Sequence, residues 1–200
     1  MLPLLTRQFL HSQLQSNIDP INNDMVLPDL SSSPVSVFLS ATSSFYAPSD
    51  LSGLGGMHSK VICSTPSWRK GPACYDMVFL EKDPEIPGMG GLHIGRVFLF
   101  FSFVYDGIKY PCALIQWFTT ISDGPDKDTG LWIVQPDFGA NGERELEVIH
   151  VDCILCGAHL IPMYGPECLP SDLHYSDTLN TFCAYYVNKY IDHHAFEVAF

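Results

Sequence analysis

His150, Cys153, Cys156 and His159 stand close together in the run VIHVDCILCGAHLI. Side chains of these types hold zinc when four of them reach one tetrahedral centre, and a Cys-x-x-Cys knuckle commonly supplies two. The same run alternates apolar positions as a strand entering a turn does. Cysteine is also a small, frequently buried residue. We therefore read the two cysteines as core, assign no metal, and keep these four side chains only as metal candidates. No βαβ pattern surrounds the pair, which argues against a thioredoxin-like redox role. Asp123, Asp126, Asp128 and Asp137 form a second set. Nucleotidyl transfer needs carboxylates that converge on two metals ~3.5–4 Å apart. A calcium loop ends in a bidentate glutamate, which DGPDKDTG lacks. We read these aspartates as turn residues. Asp192, His193 and His194 read as a solvated helix end, because adjacent histidines project in different directions from a helix. There is no Gly-x-Ser-x-Gly elbow and no glycine loop before a helix to cradle phosphate. The GMGG of residues 88–91 lies between strands, where glycine serves backbone conformation. No catalytic residue and no cofactor is expected.

The aromatic residues are the third set. Phe98, Phe100, Phe101, Phe103, Tyr105, Tyr110, Trp117, Phe118, Trp132 and Phe138 crowd one stretch of the chain. Alternation along strands sends about half of such rings inward, so most belong to a core. In small barrels a few rings stay outside and line a peptide groove, or a methyl-lysine cage held by cation–π attraction. Tyr105, Trp117 and Trp132 are the candidates here. Asp126 and Asp128, with Asp106 and Asp123, give an acidic neighbourhood that suits a cationic tail.

The elements that must position these residues are mostly strands. Two dense aromatic and β-branched runs meet at Asp106-Gly107, a strong hairpin signal because both turn positions need positive φ. We expect strands at about 95–105, 108–118, 130–135 and 146–151, with shorter ones at 35–39, 60–63 and 76–81. Residues 152–160 read as a short helix or 3₁₀ turn. Residues 4–15 carry Leu4, Leu5, Phe9, Leu10 and Leu14 near helical spacing. Residues 16–35 read as a linker, residues 46–56, 83–91, 123–130 and 162–170 as loops, and 65–75 as irregular chain. A final helix is expected across about 177–194, with Leu179, Phe182, Cys183, Tyr186, Val187 and Tyr190 on one face. The expected fold class is α+β, mostly β: a small SH3-like or BAH-like bent β-barrel with an N-terminal arm and a C-terminal helix. The expected division is an arm over 1–59, a barrel-like domain over 60–170 and a C-terminal helix over 171–200.

Composition bounds the partners. The formal net charge is -12, with Lys+Arg 10 against Asp+Glu 22. Non-specific DNA affinity comes from basic residues that neutralise phosphates, so a protein partner fits this balance better. Arg69, Lys70 and Arg96 leave room for local DNA contact. The cysteine count of 7 is odd and the spacing irregular, so reduced, intracellular thiols are expected rather than a disulfide framework. The N-terminus MLPLLTRQFLHSQL lacks the features of a signal peptide. No window approaches the ~20 apolar residues of a membrane span.

Several strings together resemble one family. PSWRKGPACYD, VFLEKDPEIPGMGGLHIGRVFLFFSF, YPCALIQWF, GPDKDTGLWIVQPDF and VIHVDCILCGAHLIPMYG are similar to the C-terminal region of fungal Plavaka-type transposon proteins. Those proteins belong with the DDE-type transposases of Agaricomycete fungi. The similarity spans roughly residues 36–198, including YAPSDLSGLGGMH and the tail LHYSDTLNTFCAYYVNKYIDHHAFE. It implies a nuclear, mobile-element setting and a fragment that lies downstream of the transposase catalytic core. That upstream domain is then a partner. This chain has Cys156 where the family often carries a basic residue, so no charge role transfers to it. The functions expected are a non-catalytic accessory module for protein or histone-tail contact, a domain touching transposon-end DNA, or a decayed element without activity. A stand-alone hydrolase is the competing class, and it would need a pocket of convergent carboxylates or histidines.

Overall fold

Asp106 and Gly107 both have positive φ, 50° and 76°, and turn the chain tightly between its two longest strands. In the computed structural model the residues described are 1–15, 27–30, 33–47, 52, 55–166, 168, 169, 171–191 and 193–199. The strands are β1 Val35–Phe38, β2 Ser40–Tyr46, β3 Met57–Thr65, β4 Cys74–Tyr75, β5 Met77–Glu81, β6 Leu92–Tyr105 and β7 Ile108–Thr120. They continue with β8 Ile133–Pro136, β9 Leu146–His150, β10 Ile154–Ala158, β11 Leu160–Pro162 and β12 Tyr185–Val187. The helices are α1 Leu2–Gln15, α2 Thr178–Thr181 and α3 His193–Ala199.

β6 and β7 pair along almost their whole length, and each carries a second partner where the nine-stranded sheet branches. The first part of β6 pairs with β5, and the later part pairs with β1. Likewise β7 pairs with β9 through residues 112–116 and with β8 through 118–120. The ladder shifts register between Val97 and Leu99, and a bulge of this kind bends a strand. Gly95 sits just before it because a Cβ there would lie 2.9 Å from Leu80 Cδ1.

The main sheet runs β10-β5-β6-β7-β8-β12-β11. Its first and last strands are consecutive in the chain, separated by His159 alone. β10 pairs with β5, and one residue later β11 pairs with β12. This single bent strand brings the sheet back on itself, giving a nearly closed antiparallel barrel. Met77, Phe79, Ile94, Phe118, Val134, Cys156, Tyr185 and Val187 fill it.

β5 is buried on both faces, which a one-sided barrel wall would not require. Its Val78 and Leu80 join Ile62, Val97, Phe100 and Ile115 in a second core, under the small β2-β3-β4 sheet. A third core lies beneath α1, where Phe9 and Leu10 meet Phe101, Phe103, Cys112 and Val148. Residues 35–46, read from sequence as part of an arm, thus supply two strands of the sheets. Among the described residues no helix is long and apolar enough to cross a membrane.

Three expectations change. The region 177–194 is not one helix: α2 is a single turn, β12 follows, and α3 begins at His193. Tyr185 and Val187 point inward, fully buried, because the barrel has a gap between β8 and β11 that only a strand can fill. Cys183 and Tyr190, expected on a packed face, are exposed. Of residues 152–160 only a 3₁₀ turn at Val151–Cys153 is helical, and the remainder is mostly β10, paired to the edge of β5. The expected loop at 46–56 begins with the end of β2, a Ser/Thr-rich strand paired residue by residue with β3. Most of the expected linker 16–35 and much of 48–54 lie outside the described residues.

Candidate functional site

Among the described residues β9 pairs with β7 on one side only. In an antiparallel edge strand, alternate N–H and C=O groups point away from the sheet and remain available for pairing. α1 packs over the Val148 face of β9, and the two elements flank a groove of about 500 Å³. Leu5 and Phe9 of α1 line one wall. Glu147 and His150 of β9, with Trp117 of β7 and Cys153, line the other.

The ladder explains the grouping. Glu147 lies opposite Ile115, so Trp117 is its diagonal neighbour on the same face. The indole Nε1–H donates to Glu147 Oε2 at 2.6 Å. His93 packs edge-on against the indole with ring centroids 5.3 Å apart. Partial burial there, and then the Lys82 charge, push the His93 pKa below its ordinary value, so the ring is neutral at pH 7. Glu145 and Glu147 supply negative charge along the rim of the groove.

Cys153 sits at one end of the groove. Burial first, then Asp152, Glu81 and Glu147, raise its thiol pKa. A protonated thiol among carboxylates is a poor nucleophile. Next to it, His150 Nδ1 accepts from the Asp152 amide at 3.3 Å and caps the 3₁₀ turn.

The five residues expected to bind a tail do not share one place. Trp117 is in the groove. Trp132 is half-buried against the barrel core on the other face of the sheet, lining a separate cleft of about 270 Å³ with Phe118. Tyr105 packs on the core beneath α1, at the end of β6. Asp126 accepts from the amide and hydroxyl of Thr129 at 2.9 and 2.7 Å, closing its own loop. Those bonds hold its carboxyl below the usual range. Asp128 belongs to the same exposed loop.

Nor do the four metal candidates converge. Cys156 is inside the barrel core, His159 joins β10 to β11, and His150 and Cys153 stay at the groove. The ligand-type side chains that do converge among the described residues are Cys63, Cys74 and Asp76. Sequence reading missed Glu145, Glu147 and the α1 wall. Alternation in LEVIH marks a strand, but only the sheet order reveals that this strand is an edge. No family model, curated protein or solved structure matches the chain.

Proposed function

We propose that this chain is a non-catalytic protein-interaction module that takes an extended, Lys/Arg-containing peptide as an added strand on β9. The observation that carries the reading is the open edge of β9 in a groove with an acidic rim. Backbone pairing supplies affinity in this mode, and side-chain pockets supply selectivity. Trp117 gives an aromatic wall, and Glu145 and Glu147 meet the peptide's cations. The net charge of -12 attracts such a partner at long range. A histone tail has this chemistry. The resemblance to transposon-derived proteins supplies the setting, an accessory domain beside a transposase core.

A second reading has its own observation. Trp68, Arg69, Lys70 and Gly71 form a tight turn, with the Gly71 amide bonded to Trp68 O at 2.8 Å. Arg69 and Lys70 both adopt positive φ, 50° and 66°, and the Arg69 guanidinium lies 5.4 Å from the indole. This exposed basic and aromatic tip favours a local DNA contact.

The test is calorimetric titration with a basic extended peptide and with duplex DNA, on wild type and on Glu147→Lys. The module reading expects peptide binding that falls at least ~10-fold in Glu147→Lys. DNA binding that is lost on Arg69→Ala and indifferent to Glu147→Lys would replace it with the second reading.

A further inference from the structure

β3 and β4 are antiparallel, with Thr65 opposite Cys74 and Ser64 opposite Tyr75. The next step of this register places Cys63 opposite Asp76, whose amide donates to Cys63 O at 3.0 Å. Residues opposite each other share a face, and so do residues two apart on one strand. Cys63, Cys74 and Asp76 therefore point the same way. Their ligand atoms all lie within 4.8 Å of one another. Asp76 Oδ2 accepts the Cys63 amide at 2.7 Å, and Oδ1 accepts the Cys74 thiol at 3.3 Å. The first bond fixes the carboxylate's position and leaves Oδ1 facing the sulfurs.

We propose that Cys63, Cys74 and Asp76 form a binding site for a thiophilic divalent cation, zinc by its ligand chemistry. Two thiolates and one carboxylate suit zinc, and three protein ligands leave a fourth tetrahedral position for water. Cys63 is buried and Cys74 half-buried, so the sulfurs are sheltered while solvent can still reach the fourth position. On binding, both thiols release their protons to solvent and two S–metal bonds form.

A neighbouring charge supports the assignment. Arg96 is only 5% exposed, and its Nε has no hydrogen-bond partner. Its Nη1 and Nη2 of Arg144 share one neutral acceptor, Asn180 Oδ1, at 2.7 and 2.6 Å. No carboxylate lies within ion-pair distance of either guanidinium among the described residues. Buried cations are ordinarily paired. The Arg96 guanidinium lies 5.8 Å from the ring of Tyr75, the residue between Cys74 and Asp76. Two thiolates and a carboxylate exceed the charge of a divalent cation by one, so the loaded site presents a net anion to this guanidinium.

The experiment is titration of the reduced, chelator-treated chain with Co²⁺, followed by competition with Zn²⁺. The expected result is one metal per chain, with a sulfur-to-cobalt charge-transfer band that Zn²⁺ removes. Cys74→Ser, checked for folding by circular dichroism, is expected to lose the band and at least ~10-fold in affinity. Asp76→Asn keeps an oxygen acceptor for the Cys63 amide, and it is expected to keep the band while binding more weakly. Cys153→Ser is expected to behave as wild type. Absence of the band in folded wild type overturns the site, as does a band lost in Cys153→Ser but kept in Cys74→Ser. A Cys63–Cys74 disulfide that resists reduction overturns it as well.

Discussion

Glu147 holds the indole of Trp117 by a 2.6 Å bond and sits on the open edge of β9. Its charge is exposed, so Glu147→Gln should change the melting temperature little. The same change should weaken a basic peptide by several-fold, about 1 kcal/mol by calorimetry. Cys112 makes a different residue-scale prediction. Burial pushes its thiol from the ordinary 9.0 up to about 12. The fold therefore favours the neutral thiol, and the unfolded chain loses that proton first. Stability from this preference is complete below pH 9 and is lost as pH rises towards 12. The slope approaches about 1.4 kcal/mol per pH unit for one such group. Cys74 in the metal-free protein adds to the same alkaline loss. Urea unfolding at neutral and alkaline pH should show a flatter decline in Cys112→Ala than in wild type. At this scale the aromatic candidates were only partly legible. Trp117 lies in the groove, but its partner Glu147 comes from a distant part of the chain that no local spacing connects to it.

At the scale of elements, the β6-β7 hairpin could be read from Asp106-Gly107 and its aromatic flanks. Both turn residues take the positive φ that the dipeptide foretells. β12 could not be read in the same way. Its inward residues Tyr185 and Val187 fit a period of two, but their neighbours also fit a helical period over a longer window. Pairing with β8 and β11 decides between them. β2 was hidden for another reason: serine and threonine dominate it, and only Phe45 is buried. The connection before β6 gives a sharp mutational test. A Cβ on Gly91 would fall 2.0 Å from Ile86 O and 2.5 Å from Asp83 O, both backbone atoms that cannot easily retreat. Gly91→Ala should cost about 3 kcal/mol in chemical denaturation. Gly124 has nothing within 4 Å of its Cβ position, so Gly124→Ala should stay within about 0.5 kcal/mol of wild type.

For the whole molecule, the acidic balance was plain in the composition, but the surface that uses it was not. The groove exists because the bent β6 and β7 branch the sheet, leaving β9 as a branch strand beside α1. A net charge of -12 predicts peptide affinity that declines as salt rises, because screening shortens the reach of exposed charges. Titrations at two salt concentrations check this. The most direct measurement is residue-resolved amide hydrogen exchange across the chain, with and without a Lys/Arg-rich extended peptide. Strand addition predicts slowed exchange at alternate amides of Leu146–His150, with little change at residues 66–72. Unchanged exchange along β9, or slowing confined to the Trp68–Gly71 tip, would contradict the account.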